Sequence, residues 1–465
     1  MEQPIALILA AGKGTRLKSN LCKVLHEVAG RPMLAYVMEA LLLAGVGRVC
    51  VVVGHQAEAV RSLVSGYDVE FAEQDPQMGT AHAVMAAKSF FDGHGGDVLI
   101  LCGDTPLIRA QSIAGLVRAH HATQSRLTVV TASLADPTGY GRVIRNPKGS
   151  VERIVEEKDA QDAERLCNEI NTGVYLVTAE LLASLLPRID ANNAQGEYYL
   201  TDLVAEAVKD GATVHGHLAD NSDEFEGINT RAQLARAASM IWQRNRDELM
   251  RGGVTLLDPA TVYPDSDVVV GPDTIIYPGV TISGLTRIGS ECVIESGVLI
   301  RDCHIGDRVE VRLGTRMEKA RIGDGSTIGP MAHLRPDSHV GRNARVGNFV
   351  ETKKTFLGDG SKAAHLTYLG DCRVGTEVNI GCGTITCNYD GKHKYTTVIN
   401  DHCFIGSDVQ LVAPVEIGEG SVIGAGSTIT RDVPPRSLAV SRVKQKVYPL
   451  RRGQGPLSSE AEGKS

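Results

Sequence analysis

Between Ile399 and Ile429 an aliphatic residue returns at every sixth position: Ile399, Ile405, Leu411, Ile417, Ile423 and Ile429. A period of six matches neither the 3.6 of a helix nor the 2 of a half-buried strand, and it marks a repeat architecture. In each hexapeptide the aliphatic residue points inward, the small residue after it fits a tight corner, and the polar remainder faces water. One such unit cannot bury its apolar side alone, whereas stacked coils can. The same register runs earlier through Ile276, Ile282, Ile288, Ile294 and Ile300, resumes after a one-residue slip at Ile305 and Val311, and holds again at Ile322, Ile328, Leu334, Val340 and Val346. Val374 and Ile380 form a shorter piece. A parallel β-helix is therefore predicted over residues 252–447. Two interruptions stand out, Val346 to Val374 and Ile380 to Ile399, and both are rich in polar residues. Insertions in a solenoid become loops on one face, often the binding face.

The first half is patterned differently. Ile5–Leu9, Val49–Val53 and Val98–Cys102 are continuous apolar runs, the mark of strands buried on both faces. Helical stretches lie between them: Pro32 to Ala44, with Pro at its start and Gly45 at its end, and a second from Gly54 to about Val64. Alternating strands and helices predict an α/β, doubly wound, mostly parallel sheet over 1–229. Thr230 to Met250 carries apolar residues at Leu234, Ala238, Ile241 and Leu249 and stops at Gly252-Gly253, which predicts a stiff linker helix over 230–251. The small, polar segment 448–465 is expected to be a disordered tail.

A length of 465 residues with 43% hydrophobic and 22% charged residues fits two soluble domains, and 4% aromatics suits a second half packed by Ile and Val. A net charge of -7 provides no basic field for nucleic acid. The ten cysteines lie singly without metal-site spacing, as expected of free thiols in a reducing cytoplasm. Ile5 to Ala11 is too short to span a membrane.

The candidate chemistry follows the strand ends. After the first strand comes Gly12-Lys13-Gly14-Thr15-Arg16, where glycines let the backbone approach a phosphate and Lys13 and Arg16 bring positive charge. Asp104, just past the strand ending at Cys102, suits Mg2+ beside phosphates, because that ion takes few protein carboxylates plus substrate oxygens. Both points fall in the crevice beyond the carboxyl ends of the strands.

With Lys23 in Leu21-Cys22-Lys23-Val24-Leu25, the start of the chain resembles the sugar-nucleotide pyrophosphorylases. Cys22 replaces the Pro usual in that family, a change in loop rigidity rather than charge. A nucleotidyltransferase followed by a hexapeptide solenoid, with Arg335-Pro336, Glu351–Lys354, Lys362–Asp371 and Asn379–Gly391, resembles the bifunctional bacterial N-acetylglucosamine-1-phosphate uridyltransferases that are also glucosamine-1-phosphate acetyltransferases. The likeness runs from Ile5 to about Val443. It implies a Rossmann-like nucleotidyltransferase domain, a left-handed β-helix, a homotrimer, and UDP-N-acetylglucosamine as product. By the same resemblance Arg16 and Lys23 hold the UTP triphosphate, and Asp104 with Asn229 holds Mg2+. Leu9, Ala10, Ala11, Gly12, Cys102 and Gly103 line the nucleotide, Gln74, Gly79 and Thr80 meet uracil, and Gly141, Glu156 and Asn171 meet the sugar.

In the second half, resemblance implies that the amine of glucosamine 1-phosphate attacks acetyl-CoA. Such an amine must lose a proton, and His365 is the candidate base because an imidazole titrates near working pH. Arg335 and Lys353 are expected at the sugar phosphate, Tyr368 and Asn379 at the sugar, and Cys382, Asn388, Tyr389, Ser407, Ala425 and Arg442 at CoA. Cys382 stands where the family commonly has Ala. Of His333, His339, His365, His393 and His402, none has compact zinc-ligand spacing. The alternative is a single-function nucleotidyltransferase whose solenoid serves only trimerisation.

Overall fold

The apolar runs of the first half come out as strands in the computed structural model, which describes residues 2–449. From residue 450 onward the expected disordered tail lies outside them. The chain divides into two compact units; one runs to Asp247 and includes Pro264–Ser266, and the other takes Glu248–Tyr263 and continues from Asp267.

In the first unit the strands are β1 (Ile5–Leu9), β2 (Val49–Val53), β3 (Glu70–Glu73), β4 (Asp97–Cys102), β5 (Leu127–Ser133), β6 (Arg142–Arg145), β7 (Val151–Val155), β8 (Glu169–Thr178) and β9 (Val214–Leu218). They form one sheet in the order β9-β5-β8-β4-β1-β2-β3, with β6 beside β8 and β7 beside β6. The pairs β1/β2, β1/β4, β2/β3 and β5/β9 are parallel, but β8 runs antiparallel to β4, β5 and β6, so the sheet is mixed rather than mostly parallel. Sequence reading missed β8 because Asn171-Thr-Gly173 resembles a turn. That tripeptide is a bulge, where the pairing to β5 shifts between Asn171 and Tyr175, and a bulge re-aims a side chain without ending the strand. The helices α1 (Met33–Leu43), α2 (Ala57–Leu63), α3 (Thr80–Ala86) and α4 (Ala110–Ala122) join the strands. The long helix α5 (Arg231–Arg251) packs Ala237 and Ile241 against Val28, Met33, Leu107 and Ile228.

The second unit is a stack of coils whose short strands pair in parallel, each three-strand turn resting on the next. Three inward columns make its core. One is Ile276, Ile294, Val311, Ile328, Val346, Ala363, Ile380, Ile405 and Ile423, each paired with the next. The expected interruption at 346–374 is not a loop. Arg345–Leu357 and Lys362–Val374 are two 13-residue strands paired in register throughout, and the coils continue. The aliphatic signal is lost there because Thr352, paired with Leu369, and Ala363, between Val346 and Ile380, take buried inward places. The second interruption holds a true insertion around the isolated Tyr389–Lys394 bridge.

Polar corners close the stack. Ser326 Oγ donates to Gly341 O at 2.7 Å and accepts from Ala344 N at 3.0 Å; Ser361 makes the same bracket to Gly375 O and Val378 N. Asp307, Asp324, Asp359 and Asp401 each accept a backbone N–H from the coil before, at 2.7–2.9 Å. Corner amides, which have no strand partner, are thereby satisfied.

Candidate functional site

At the carboxyl end of the first unit's sheet four predicted residues converge. Gly14 lies at φ 66°, and a Cβ there would come within 2.8 Å of the Lys23 side chain, so the glycine lets the loop fold over that lysine. Lys23 Nζ donates to Asn229 Oδ1 at 2.8 Å and forms an ion pair with Asp104. Arg16 Nη2 donates to the same Asn229 oxygen at 2.8 Å. Asp104 is nearly buried, and its backbone carbonyl accepts from Ile228 N, which ties the end of β4 to the segment carrying Asn229. Two oxygens from distant parts of the chain thus face one positive charge. Cys102 and Gly103 complete the strand end; Gly103 N donates to Leu9 O at 3.0 Å, and Ala10 N donates to Val52 O. Burial pushes the Cys102 thiol up to about 12, with the Asp104 charge adding to it, so this sulfur stays protonated. Gly12 has open space where a Cβ would project.

A second group forms where the chain after β3 turns into α3. Gln74 Nε2 donates to Gly79 O at 2.9 Å, and Thr80 Oγ1 accepts from Leu200 N at 3.0 Å. Gly79 has φ 109°, and a Cβ there would lie 2.5 Å from Tyr198 O, so only glycine fits.

Gly141, Glu156 and Asn171 also meet: Asn171 N donates to Gly141 O at 2.8 Å, and the Glu156 carboxylate lies beside Gly141. Burial pushes the Glu156 carboxyl up, and the charges of Asp202, Asp159 and Glu197 add to that against the hydrogen bond from Thr201. Asn171 Nδ2 donates to the buried Tyr175 hydroxyl at 2.7 Å.

In the second unit the predicted residues fall into two groups. His365, Cys382, Ser407 and Ala425, together with Asn348, which was not predicted, each stand two residues past an inward residue of one column, so they stack along a single corner. His365 Nδ1 lies 2.6 Å from Asn348 Oδ1, an oxygen that can only accept, so Nδ1 carries a proton and the neutral ring has its lone pair on Nε2. Arg442 Nη1 donates to Ala425 O at 2.6 Å, at the far end of the same column. Asn388 Nδ2 donates to Asp371 Oδ2, and Tyr389 is exposed.

The other group stands across one outward face. Arg335 Nη1 pairs with Glu351 at 3.0 Å, and Lys353 meets Lys394. The neighbouring Lys394 holds the Lys353 ammonium below its usual range, first through their direct contact and, after burial, through its charge, with Arg335 adding to it. Tyr368 lies on the face between these cations and the His365 corner, while Asn379 is on the adjoining face. No hydrogen bond among the described residues joins His365 to Arg335 or Lys353.

Asn348, Lys394 and His82 were not singled out from sequence. Lys394 had a signal, its place in the basic Lys392–Tyr395 insertion. Asn348 had none, because its contact with His365 arises between coils 17 residues apart.

Family comparisons fit these two sites. The family model described as nucleotidyl transferase matches residues 5–235, and the one described as bacterial transferase hexapeptide (six repeats) matches 319–354 and 396–431. The chain is 52% identical over 442 residues to the bifunctional protein GlmU of Trichlorobacter lovleyi, covering 95% of this chain and 96% of that one. It is 52% identical over 446 residues to that of Pelobacter propionicus, covering 96% and 97% of the two chains, and 50% identical over 440 residues to that of an Exiguobacterium species, covering 95% and 97%. A likeness of this extent spans both units and both groups of polar residues, and the chain belongs to the bifunctional GlmU family.

Proposed function

We propose that the chain makes UDP-N-acetylglucosamine in two steps: acetyl transfer from acetyl-CoA to glucosamine 1-phosphate on the solenoid, then uridylyl transfer from UTP on the first unit. The observation that carries the second step is the convergence of Arg16, Lys23, Asp104 and Asn229. A phosphate oxygen of N-acetylglucosamine 1-phosphate attacks the α-phosphorus of UTP and pyrophosphate leaves. Charge neutralisation and alignment are the main demands of such a transfer. Arg16 and Lys23 supply the charge, with Gln74, Gly79 and Thr80 at the base and Gly141, Glu156 and Asn171 at the sugar. Asp104 and Asn229 would hold Mg2+. Their oxygens already gather around one cation, the Lys23 ammonium, and oxygen donors suit a hard divalent ion. Such an ion, when bound, neutralises phosphate charge.

For acetyl transfer, His365 Nε2 takes the proton lost as the amine nitrogen bonds to the thioester carbon and the thiolate of CoA departs. Asn348 orients the ring. Arg335, Lys353 and Lys394 suit the sugar phosphate, with Tyr368 and Asn379 at the sugar, and the corner through Cys382, Ser407, Ala425 and Arg442, with Asn388 and Tyr389, suits CoA. Because the cations and His365 lie at opposite edges of one face and Asn379 lies on another, a site using all of them is completed by a second copy. Support for a trimer comes from Met331, Phe349 and Leu366, exposed apolar side chains at positive φ on the same corner, where glycine would be unstrained. The reactants place the enzyme in the cytoplasm, and no helix among the described residues is long and apolar enough to cross a membrane.

The test assays the two half-reactions separately. Asp104→Ala should abolish pyrophosphate release and spare thiol release from acetyl-CoA, and His365→Ala should do the reverse. Thiol release that survives His365→Ala would reduce the solenoid to an assembly device.

A further inference from the structure

Gln74 is an amide, and an amide can present either a donor or an acceptor to a ligand, depending on which way it faces. Its surroundings settle that choice. The Gly79 carbonyl can only accept, so the group 2.9 Å from it must be the Gln74 NH2. The same nitrogen lies 3.2 Å from His82 Nδ1. With both N–H bonds committed, His82 Nδ1 must be the acceptor, and the imidazole carries its proton on Nε2. Gln74 Oε1 accepts no hydrogen bond from any described residue, yet it is absent from the sealed, unsatisfied polar atoms, so it faces accessible space. The surrounding turn is held rigidly: Tyr198 N donates to Met78 O and Ala81 N donates to Tyr198 O, both at 2.9 Å, while the Tyr198 and His82 rings lie 6.2 Å apart.

We infer that His82 is a specificity-determining positioning residue: with Gly79 O it locks the Gln74 amide so that only a carbonyl oxygen faces the base, and the pocket accepts a pyrimidine bearing N3–H while refusing one whose N3 is a lone pair. This rests on the reading of Gln74 as the base contact. Flipping the amide to suit cytosine would lose two hydrogen bonds and set its oxygen against two lone pairs. Without His82 only the Gly79 carbonyl opposes the flip.

The experiment measures kcat/KM for UTP and CTP, with N-acetylglucosamine 1-phosphate and Mg2+, in the full chain and in His82→Leu, His82→Asn and Gln74→Ala. His82→Leu should lower the UTP:CTP ratio roughly three- to tenfold, the worth of one neutral hydrogen bond. His82→Asn, whose side-chain oxygen can replace Nδ1 as acceptor, should restore it, and Gln74→Ala should lower it at least as far as His82→Leu. His82→Thr, too short to reach Gln74, carries the same expectation as His82→Leu should that variant not fold. A ratio unchanged in His82→Leu or His82→Thr but collapsed in Gln74→Ala would overturn the inference alone, as would an equal loss with both nucleotides. A ratio unchanged in all variants would instead remove the base contact from Gln74.

Discussion

Glu156 is held in a place that disfavours its charge. Burial and the neighbouring acids Asp202, Asp159 and Glu197 raise its pKa, and burial raises that of Asp202 as well. A carboxyl whose pKa is higher folded than unfolded binds its proton more tightly in the native state. Its contribution to stability therefore falls as pH rises from the ordinary carboxylate range through the raised value. Glu156→Gln should accordingly melt higher than the parent at pH 7, by about 2–4 °C for each kcal/mol relieved in a unit of this size. The gap should close toward about pH 4, where the parent carboxyl is protonated, and sugar-phosphate KM should rise, a trade of function against stability. At His365 the positioning contact is Asn348. Asn348→Ala should lower kcat for thiol release about tenfold with KM for either substrate little changed, and Asn348→Asp, which keeps the acceptor, should recover part of it. Asp104 was legible as a candidate because charge after a buried strand is conspicuous, whereas Lys23 and His365 became candidates through the family resemblance of the motifs around them. Asn348 and His82 were not legible, because what they do depends on which atom of a neighbour faces them, and chain spacing carries no such information.

Among the elements, the repeat was the most legible, since each aliphatic residue read at a six-residue spacing lies in one of the three inward columns. It was interrupted where the inward residue is Met317, Thr352, Ala363 or Thr386, side chains outside the Ile, Val and Leu that fill most of the three columns. Strand β8 was lost for a related reason: its bulge puts Asn, Thr and Gly in mid-strand. In the solenoid each coil touches only its neighbours, so core truncations act locally. Ile328 is fully buried in the first column, and Ile328→Ala should cost about 2–5 kcal/mol. Denaturant unfolding should show that loss in the solenoid's transition and leave the first unit's transition in place. Ser326→Ala, which strands one amide and one carbonyl at a corner, should cost about 1–3 kcal/mol by the same measurement.

Taken whole, the molecule pairs a unit whose proposed site is complete in one chain with a unit whose proposed site is not. Phe349→Asp, at the exposed apolar corner, should shift the mass in solution from the proposed trimer toward monomer. Thiol release should fall in proportion to the loss of trimer, while pyrophosphate release from N-acetylglucosamine 1-phosphate stays within about twofold. Sedimentation with both assays on one preparation would check it; trimers persisting with full thiol release would reject that corner as the contact.

The stacking of the solenoid also sets how it bears a load. Its inter-strand hydrogen bonds point along the stack, from the first coil near Thr255 to the last near Leu438, so tension between those ends pulls on them lengthwise and one coil at a time. Ile276, Ile294 and Val311 mark successive coils 18 and 17 residues apart. Stretched between two beads, this unit should part in a train of low, evenly spaced force steps, each releasing roughly 60 Å of chain, where a sheet loaded in shear would hold and then fail at once.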